Sequence, residues 1–210
     1  MTKMQKLNTP TEYRQQLRKR ILEVASHEFR SKGIKAVKMD DIANSLSISK
    51  RTLYEIYENK EQLLMETVKE ECNKFDACMQ AFSQGGNHHV IEVLTEFYRL
   101  QMKSLAVVTP VYFVELEKYP QILAWLTRNR EERHRNAIQF FKVGIEEGYF
   151  RSNVNYELII KGSSGMMDYI MENRLYNSYS MQEILRNVVL LYIRGFCTLK
   201  GIEELDKRDI

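Results

Sequence analysis

The stretch Met39-Asp40-Asp41-Ile42-Ala43-Asn44-Ser45-Leu46-Ser47-Ile48-Ser49-Lys50-Arg51-Thr52-Leu53-Tyr54 decides how this chain is read. Asp40 and Asp41 fall in the first turn of a short helix from about Met39 to Leu46, where carboxylates complement the positive end of the helix. Ser47-Ile48-Ser49 breaks that helix. Ser49 is of the residue type that starts another, because its hydroxyl accepts from a first-turn N–H with no partner inside the helix. The new helix runs from Lys50 to about Tyr57. Upstream, Leu17, Ile21, Ala25 and Phe29 recur every four residues, with Leu22 and Val24 beside them, as on one face of an amphipathic helix beginning near Tyr13. Gly33 ends it, the residue type that accepts a left-handed conformation just past a helix. Three short helices, the last two joined by a tight turn, are the physical requirement of a helix-turn-helix. Ile42, Ala43, Leu46, Ile48, Leu53 and Ile56 supply its core, with Ala43 small where two helices cross closely.

The third helix leaves Ser49, Lys50, Arg51, Thr52, Tyr54 and Glu55 on its polar faces. Such a helix fits the major groove of double-stranded DNA, where Arg and Lys reach guanine edges or phosphates and Thr reads a base or its methyl group. Tyr54, Tyr57 and Lys60 suit phosphate contacts along the groove wall. The pattern does not say which of these touches a base and which a phosphate. The charge distribution agrees with a polyanion partner at this end: residues 1–60 hold 13 Lys/Arg against 7 Asp/Glu, and the remainder 18 against 21.

Beyond the third helix, Asn59 offers a cap for a long helix carrying Leu63, Leu64, Val68, Cys72, Phe75 and Met79. Gly85-Gly86-Asn87 interrupts the chain. Helical patterns resume over 88–107 before Pro110, near 111–118, after Pro120, and from about Leu126 to Glu147, closed by Gly148. The last two are expected at 155–175 and 180–200. No alternating pattern of useful length signals a strand, so the expected fold is all-α. Residues 1–60 are expected to form the helix-turn-helix DNA-binding domain, with 1–11 a flexible arm, and 61–210 a larger helical domain.

Other chemistries find little support. The run Val188-Val189-Leu190-Leu191-Tyr192-Ile193 is far short of the roughly 20 apolar residues that span a membrane. No apolar segment near Met1 reads as a secretory signal. Three cysteines, Cys72, Cys78 and Cys197, lack metal-site spacing and suit a reducing cytoplasm. Cys72 and Cys78 read as small apolar fillers. His88-His89, His134 and His27 match no metal-ligand spacing. No catalytic constellation, metal site or cofactor motif stands out, so no enzyme activity is expected.

Arg18-Lys19-Arg20-Ile21-Leu22, then Ala25, Phe29 and Gly33, then Met39-Asp40-Asp41-Ile42-Ala43 resembles the opening of TetR-family repressors. Ile48-Ser49-Lys50-Arg51-Thr52-Leu53-Tyr54, followed by Tyr57, Asn59-Lys60-Glu61 and Leu63, looks like that family's signature. The resemblance is specific over about residues 14–65 and architectural beyond, where Glu146-Glu147-Gly148-Tyr149-Phe150-Arg151 looks like the family's connection into the penultimate helix. Two positions depart from it. Lys38 stands where the family usually has a capping Thr or Ser: either the cap is missing, at about 1 kcal/mol, or Lys38 reaches a phosphate. Ser47 stands where the family commonly has Gly, and is strained if its φ is positive.

The resemblance implies an apolar effector pocket between helices of the second domain. Phe75, Met79, Phe97, Met102, Tyr112, Phe113, Trp125, Met166 and Tyr169 are the candidates for its lining, an apolar or aromatic small molecule the candidate effector, and plain hydrophobic core the competing reading. It also implies that the last helices form a homodimer. Gly162-Ser163-Ser164-Gly165 interrupts an apolar helical pattern, and interior glycines at roughly 1 kcal/mol each suggest close approach of another helix. The last helix is apolar nearly all round. Gly162, Gly165, Val188, Leu191 and Tyr192 are therefore the candidate dimer interface. The expected function is a homodimeric repressor on a near-palindromic operator, released by its effector. The rivals are an activator, a DNA-binding protein without ligand, and a helical enzyme or carrier.

Overall fold

The computed structural model describes residues 10–208, the side chains of Pro10, Thr11 and Asn136 excepted. The expected arm therefore lies outside the described residues up to position 9. Its last two positions are helical, because α1 (Pro10–Lys32) begins at Pro10, a residue whose fixed φ suits the first helical position.

The helices α1, α2 (Met39–Ser45), α3 (Lys50–Ile56), α4 (Lys60–Gln84), α5 (Val90–Leu105) and α6 (Pro110–Leu116) follow the expected order. The two segments expected after Pro120 are one helix, α7 (Pro120–Glu146), since nothing between them breaks a helix. Helix α8 (Tyr156–Glu172) follows, and then a helical segment built from α9 (Met181–Ile184), a wider π turn over Leu185–Val189 and α10 (Leu190–Phe196). The expected helix over 180–200 stops four residues early. Cys197 turns extended and makes an antiparallel bridge with Phe150, with the Arg151 N–H donating to the Phe196 carbonyl at 3.0 Å. Thr198 then caps a further helix, α11 (Leu199–Asp206), by accepting from the Gly201 N–H. No described helix is long and apolar enough to cross a membrane.

The chain divides into two compact units. The first runs to Asn73 and takes in Val111–Tyr119. Burial explains this. Ile21, Ala25, Phe29, Ile42, Leu53, Tyr57, Leu63 and Leu64 are almost wholly removed from solvent, and the start of α4 belongs to the same core. Arg18–Glu66 at 2.9 Å and Arg30–Glu71 at 2.6 Å tie α1 to α4. Helix α6 closes on the turn after α1. Gly33 has a φ of 89°, and a β-carbon there would stand 2.8 Å from a Val111 methyl. The Lys35 N–H donates to the Glu115 carboxylate at 2.7 Å.

The second unit comprises residues 74–110 and 120 onward. Its core gathers Val90, Ile91 and Tyr98 of α5 with Phe150, Tyr156, Leu185, Val189, Ile193, Phe196, Cys197 and Leu205. The rings of Phe141, Phe150, Tyr156 and Phe196 pack together at centroid separations of 4.4 to 6.1 Å.

Candidate nucleic-acid interface

The turn between α2 and α3 is held by its own backbone. Leu46 N–H donates to the Ile42 carbonyl, Ser47 N–H to Asn44 and Ile48 N–H to Ala43, all at 3.0 to 3.2 Å. Ser47 has a φ of 54°, so the strain expected of a non-glycine residue in the left-handed region is present. Ser49 is extended and its hydroxyl accepts from the Thr52 N–H at 3.0 Å, the expected cap. At the start of α2, Lys38 is extended and makes no side-chain cap, since an ammonium has no lone pair to offer. Asp41 instead reaches back, its carboxylate accepting from the Lys38 N–H at 3.0 Å. That is half of a reciprocal capping box.

Around this frame Lys38, Ser49, Lys50, Arg51 and Tyr54 are exposed and Thr52 is half-buried. Two of the cations are already paired. Lys50 Nζ lies 2.9 Å from Asp40 of α2, which raises its pKa by hydrogen bonding and by charge. Arg51 Nε lies 2.8 Å from Glu55 one turn on, which raises the guanidinium's pKa for the same reasons. Both pairs are solvated, so water and salt screen them. A phosphate or a guanine edge can displace either carboxylate. Lys50 also sits 6.0 Å from the centroid of the Tyr54 ring. Thr52 has its hydroxyl within 2.8 Å of the Ser49 hydroxyl.

Two expected contacts are placed differently. Tyr57 is fully buried, and its hydroxyl is shielded without a hydrogen-bond partner. Four residues after Leu53, it lies on the core face of the chain and offers no phosphate contact as it stands. Burial pushes its phenol up to about 12, with the Arg18 guanidinium, 5.3 Å over the ring, pulling the other way. Lys60 is half-buried at the start of α4, its ammonium 6.0 Å from the centroid of Phe29, and burial lowers its pKa.

Other residues of this face were not singled out for a role from the sequence. Arg14 donates to the Glu55 carbonyl at 3.3 Å and so satisfies the end of α3. Arg14 and Arg18 stand one turn apart on the polar side of α1, a spacing visible in the sequence but indistinguishable there from an ordinary solvated face. Asp40 and Glu55, which hold the two cations, gave no signal beyond the dipole position of the first and the polarity of the second.

The effector candidates fall in both units. Tyr112 and Phe113 belong to the first unit, and Tyr112 is buried there. Phe97, Met102 and Met166 pack against the core of the second unit, which favours the plain-core reading for them. Met102 also borders a narrow crevice with Tyr98, Leu185, Arg186 and Leu190. Phe75 meets Phe97 edge-on at 5.2 Å. Met79 and Trp125 are half-buried. Cys72 is half-buried but Cys78 is exposed, so only the first suits the filler reading.

Tyr169 is 59% exposed, in line on α8 with Leu158 at 64% and with the exposed Gly162 and Gly165. Residues spaced four, three and four apart share one helix face, so Tyr169 shares the exposed face of α8 with Leu158, Gly162 and Gly165. Gly162 serves contact within the chain: a β-carbon there would stand 2.7 Å from the Tyr192 hydroxyl, which donates to the Ile159 carbonyl at 2.9 Å. Gly165 has nothing within 4 Å of that position. Val188 and Leu191 are exposed.

A capped, cation-bearing third helix on a three-helix head, followed by a larger helical unit, defines a DNA-binding regulator of the helix-turn-helix class. Residues 21–67 match the family model described as bacterial regulatory proteins, tetR family. A curated relative, the HTH-type transcriptional repressor KstR2 of Mycolicibacterium smegmatis, is 24% identical over 150 residues, 69% of this chain and 72% of the relative. Among solved structures, a putative transcriptional regulator from Saccharomonospora viridis in complex with choline matches with a TM-score of 0.69 at 18% identity, covering 88% of this chain and 99% of its own. The ketosteroid transcriptional regulator KstR2 of Mycobacterium tuberculosis matches with a TM-score of 0.56 at 17% identity, covering 87% and 95%. Over residues 21–67 the chain thus matches the TetR family of transcriptional regulators, and over most of its length it is similar in fold to solved members of that kind.

Proposed function

We propose that this regulator is a homodimeric repressor. Residues 1–60 bind a near-palindromic operator in double-stranded DNA, and residues 61–210 dimerise and bind a small effector that releases the DNA. The observation that carries this reading is the apolar face left bare on the last long helices. Leu158 and Tyr169 with Gly162 and Gly165 line one side of α8. Val188 and Leu191, 39% and 66% exposed, with the exposed Gly195, line one side of the segment ending in α10. Bare leucines beside glycines suit close helix packing against a second copy, and a two-fold interface is self-complementary. Two copies also read two half-sites, where a single head of this size buries too little surface for specificity.

A small effector is supported by the half-buried Phe75, Met79 and Trp125 of the second unit. The choline held by the Saccharomonospora viridis neighbour is a property of that protein. Light scattering on the wild type and on Leu191→Glu, with gel shifts on DNA upstream of its own coding sequence, tests the reading. The wild type is expected to be a dimer at micromolar concentration. The variant is expected to be a folded monomer, or largely so, with at least tenfold weaker operator binding and an untouched head. A wild-type monomer that binds a full operator tightly would overturn it.

A further inference from the structure

Arg133, on α7, holds two of the shielded side-chain donors that lack a hydrogen bond among the described residues. Its Nε and Nη2 are both shielded from solvent and neither makes a hydrogen bond. Asp76 lies 3.0 Å from Nη2, but out of line with its N–H bonds, and is half exposed to water. Asp76 therefore balances charge without satisfying the donors. Buried donors in folded proteins are nearly always paired, and a charged one left unpaired is the costlier kind.

The two nitrogens without a hydrogen bond are not independent. Nε–H and one N–H of Nη2 point the same way from a planar guanidinium, and this edge is the fork that takes both oxygens of a carboxylate in parallel hydrogen bonds. The surroundings are aromatic. The guanidinium carbon lies 5.3 Å from the centroid of the Phe75 ring, and Phe75 in turn meets Phe97 edge-on at 5.2 Å. The ring face stabilises the cation but fills no donor.

We infer that the Nε/Nη2 edge of Arg133 is the subsite for a carboxylate on the effector, whose apolar body lies against Phe75 and Phe97. This rests on the effector reading above and gives that ligand its chemical class: a monocarboxylic acid with an apolar or aromatic body, rather than a neutral apolar molecule. Asp76 competes with the ligand for the same cation, so neutralising it favours binding. Nothing in the sequence singled out Arg133, one of several charges on a solvated helix.

The full-length protein is titrated by calorimetry with a panel of straight-chain acids from butanoate to dodecanoate and of phenylalkanoates, each beside its primary amide. At least one acid is expected to bind tenfold or more tightly than its amide. Arg133→Gln is expected to abolish that preference, with an unchanged circular dichroism spectrum, and Asp76→Asn to strengthen acid binding several-fold. Should Arg133→Gln fail to fold, Arg133→Lys serves: it keeps the charge and loses the fork, and the acid preference is expected to fall at least fivefold. A panel in which no acid outbinds its amide, or an acid preference that survives both Arg133 variants, overturns the assignment. Gel shifts with the same compounds separate this from the effector reading. Amides that release DNA as well as acids refute the carboxylate subsite alone. An Arg133-dependent acid that leaves DNA binding unchanged establishes the subsite and refutes release.

Discussion

Replacing Tyr57 with Phe removes one oxygen atom from the core of the first unit and changes little else there. The phenol is fully buried and its hydroxyl has no hydrogen-bond partner. A buried hydroxyl without a partner costs about 1–3 kcal/mol in lost hydration. Against this stand the dispersion of one oxygen and a weak pull of the Arg18 guanidinium on the hydroxyl, too poorly aligned to count as a hydrogen bond, while the contact of Arg18 with the ring remains. Tyr57→Phe is therefore expected to stabilise the protein by about 1 kcal/mol, or a rise of roughly 2–4 °C in Tm for a chain of this size, read by calorimetry. The pH dependence carries the same signature. The folded phenol ionises near 12 and an unfolded one near 10.0. The contribution is thus intact below pH 10 and lost as pH rises towards 12, and the variant is expected to lose less stability over that window. Operator affinity is expected to stay within twofold of wild type, because the hydroxyl does not reach the surface. A lower Tm would show that the hydroxyl has a partner. A fivefold or greater loss of DNA affinity, about 1 kcal/mol by RT ln K, would show that Tyr57 moves out to a phosphate on binding.

Ser49→Ala deletes the hydroxyl that accepts from Thr52 in a helix of only seven residues; a loss of about 1 kcal/mol is expected, with operator affinity down roughly fivefold in gel shifts. Gly162→Ala and Gly165→Ala separate contact within the chain from contact between copies. The first sets a β-carbon 2.7 Å from the Tyr192 hydroxyl and breaks its bond to Ile159, while the second meets nothing within the chain. Thermal melts are expected to show a Tm several degrees lower for Gly162→Ala. Gly165→Ala, which fills open space and recovers about 1 kcal/mol of helix propensity, is expected to melt roughly 2–4 °C above wild type, and equal losses would contradict the packing described.

Local chemistry alone determined much of this protein. The period of four in Leu17, Ile21, Ala25 and Phe29, the stop at Gly33, the cap at Ser49 and the break at Gly85-Gly86 depend on residues a few positions apart, and each stands where the pattern put it. The resemblance marked Ser47 and Lys38 as departures, and the structure then supplied the positive φ at the first and the absent side-chain cap at the second. Tertiary structure decided what distant residues do to one another. Whether Tyr57 faces DNA or the core depends on α1 and α4, which no pattern around residue 57 contains. Helix α6 joined the first unit through Gly33, Lys35 and Glu115, a hydrogen bond across 80 positions. The end of α10 was set by a bridge from Cys197 to Phe150. Gly162 and Gly165 look alike in sequence, yet one is filled by Tyr192 of the same chain and the other stands bare. A helical period fixes which side of a helix is apolar, but not which neighbour covers it, because that depends on the packing of elements the period does not encode.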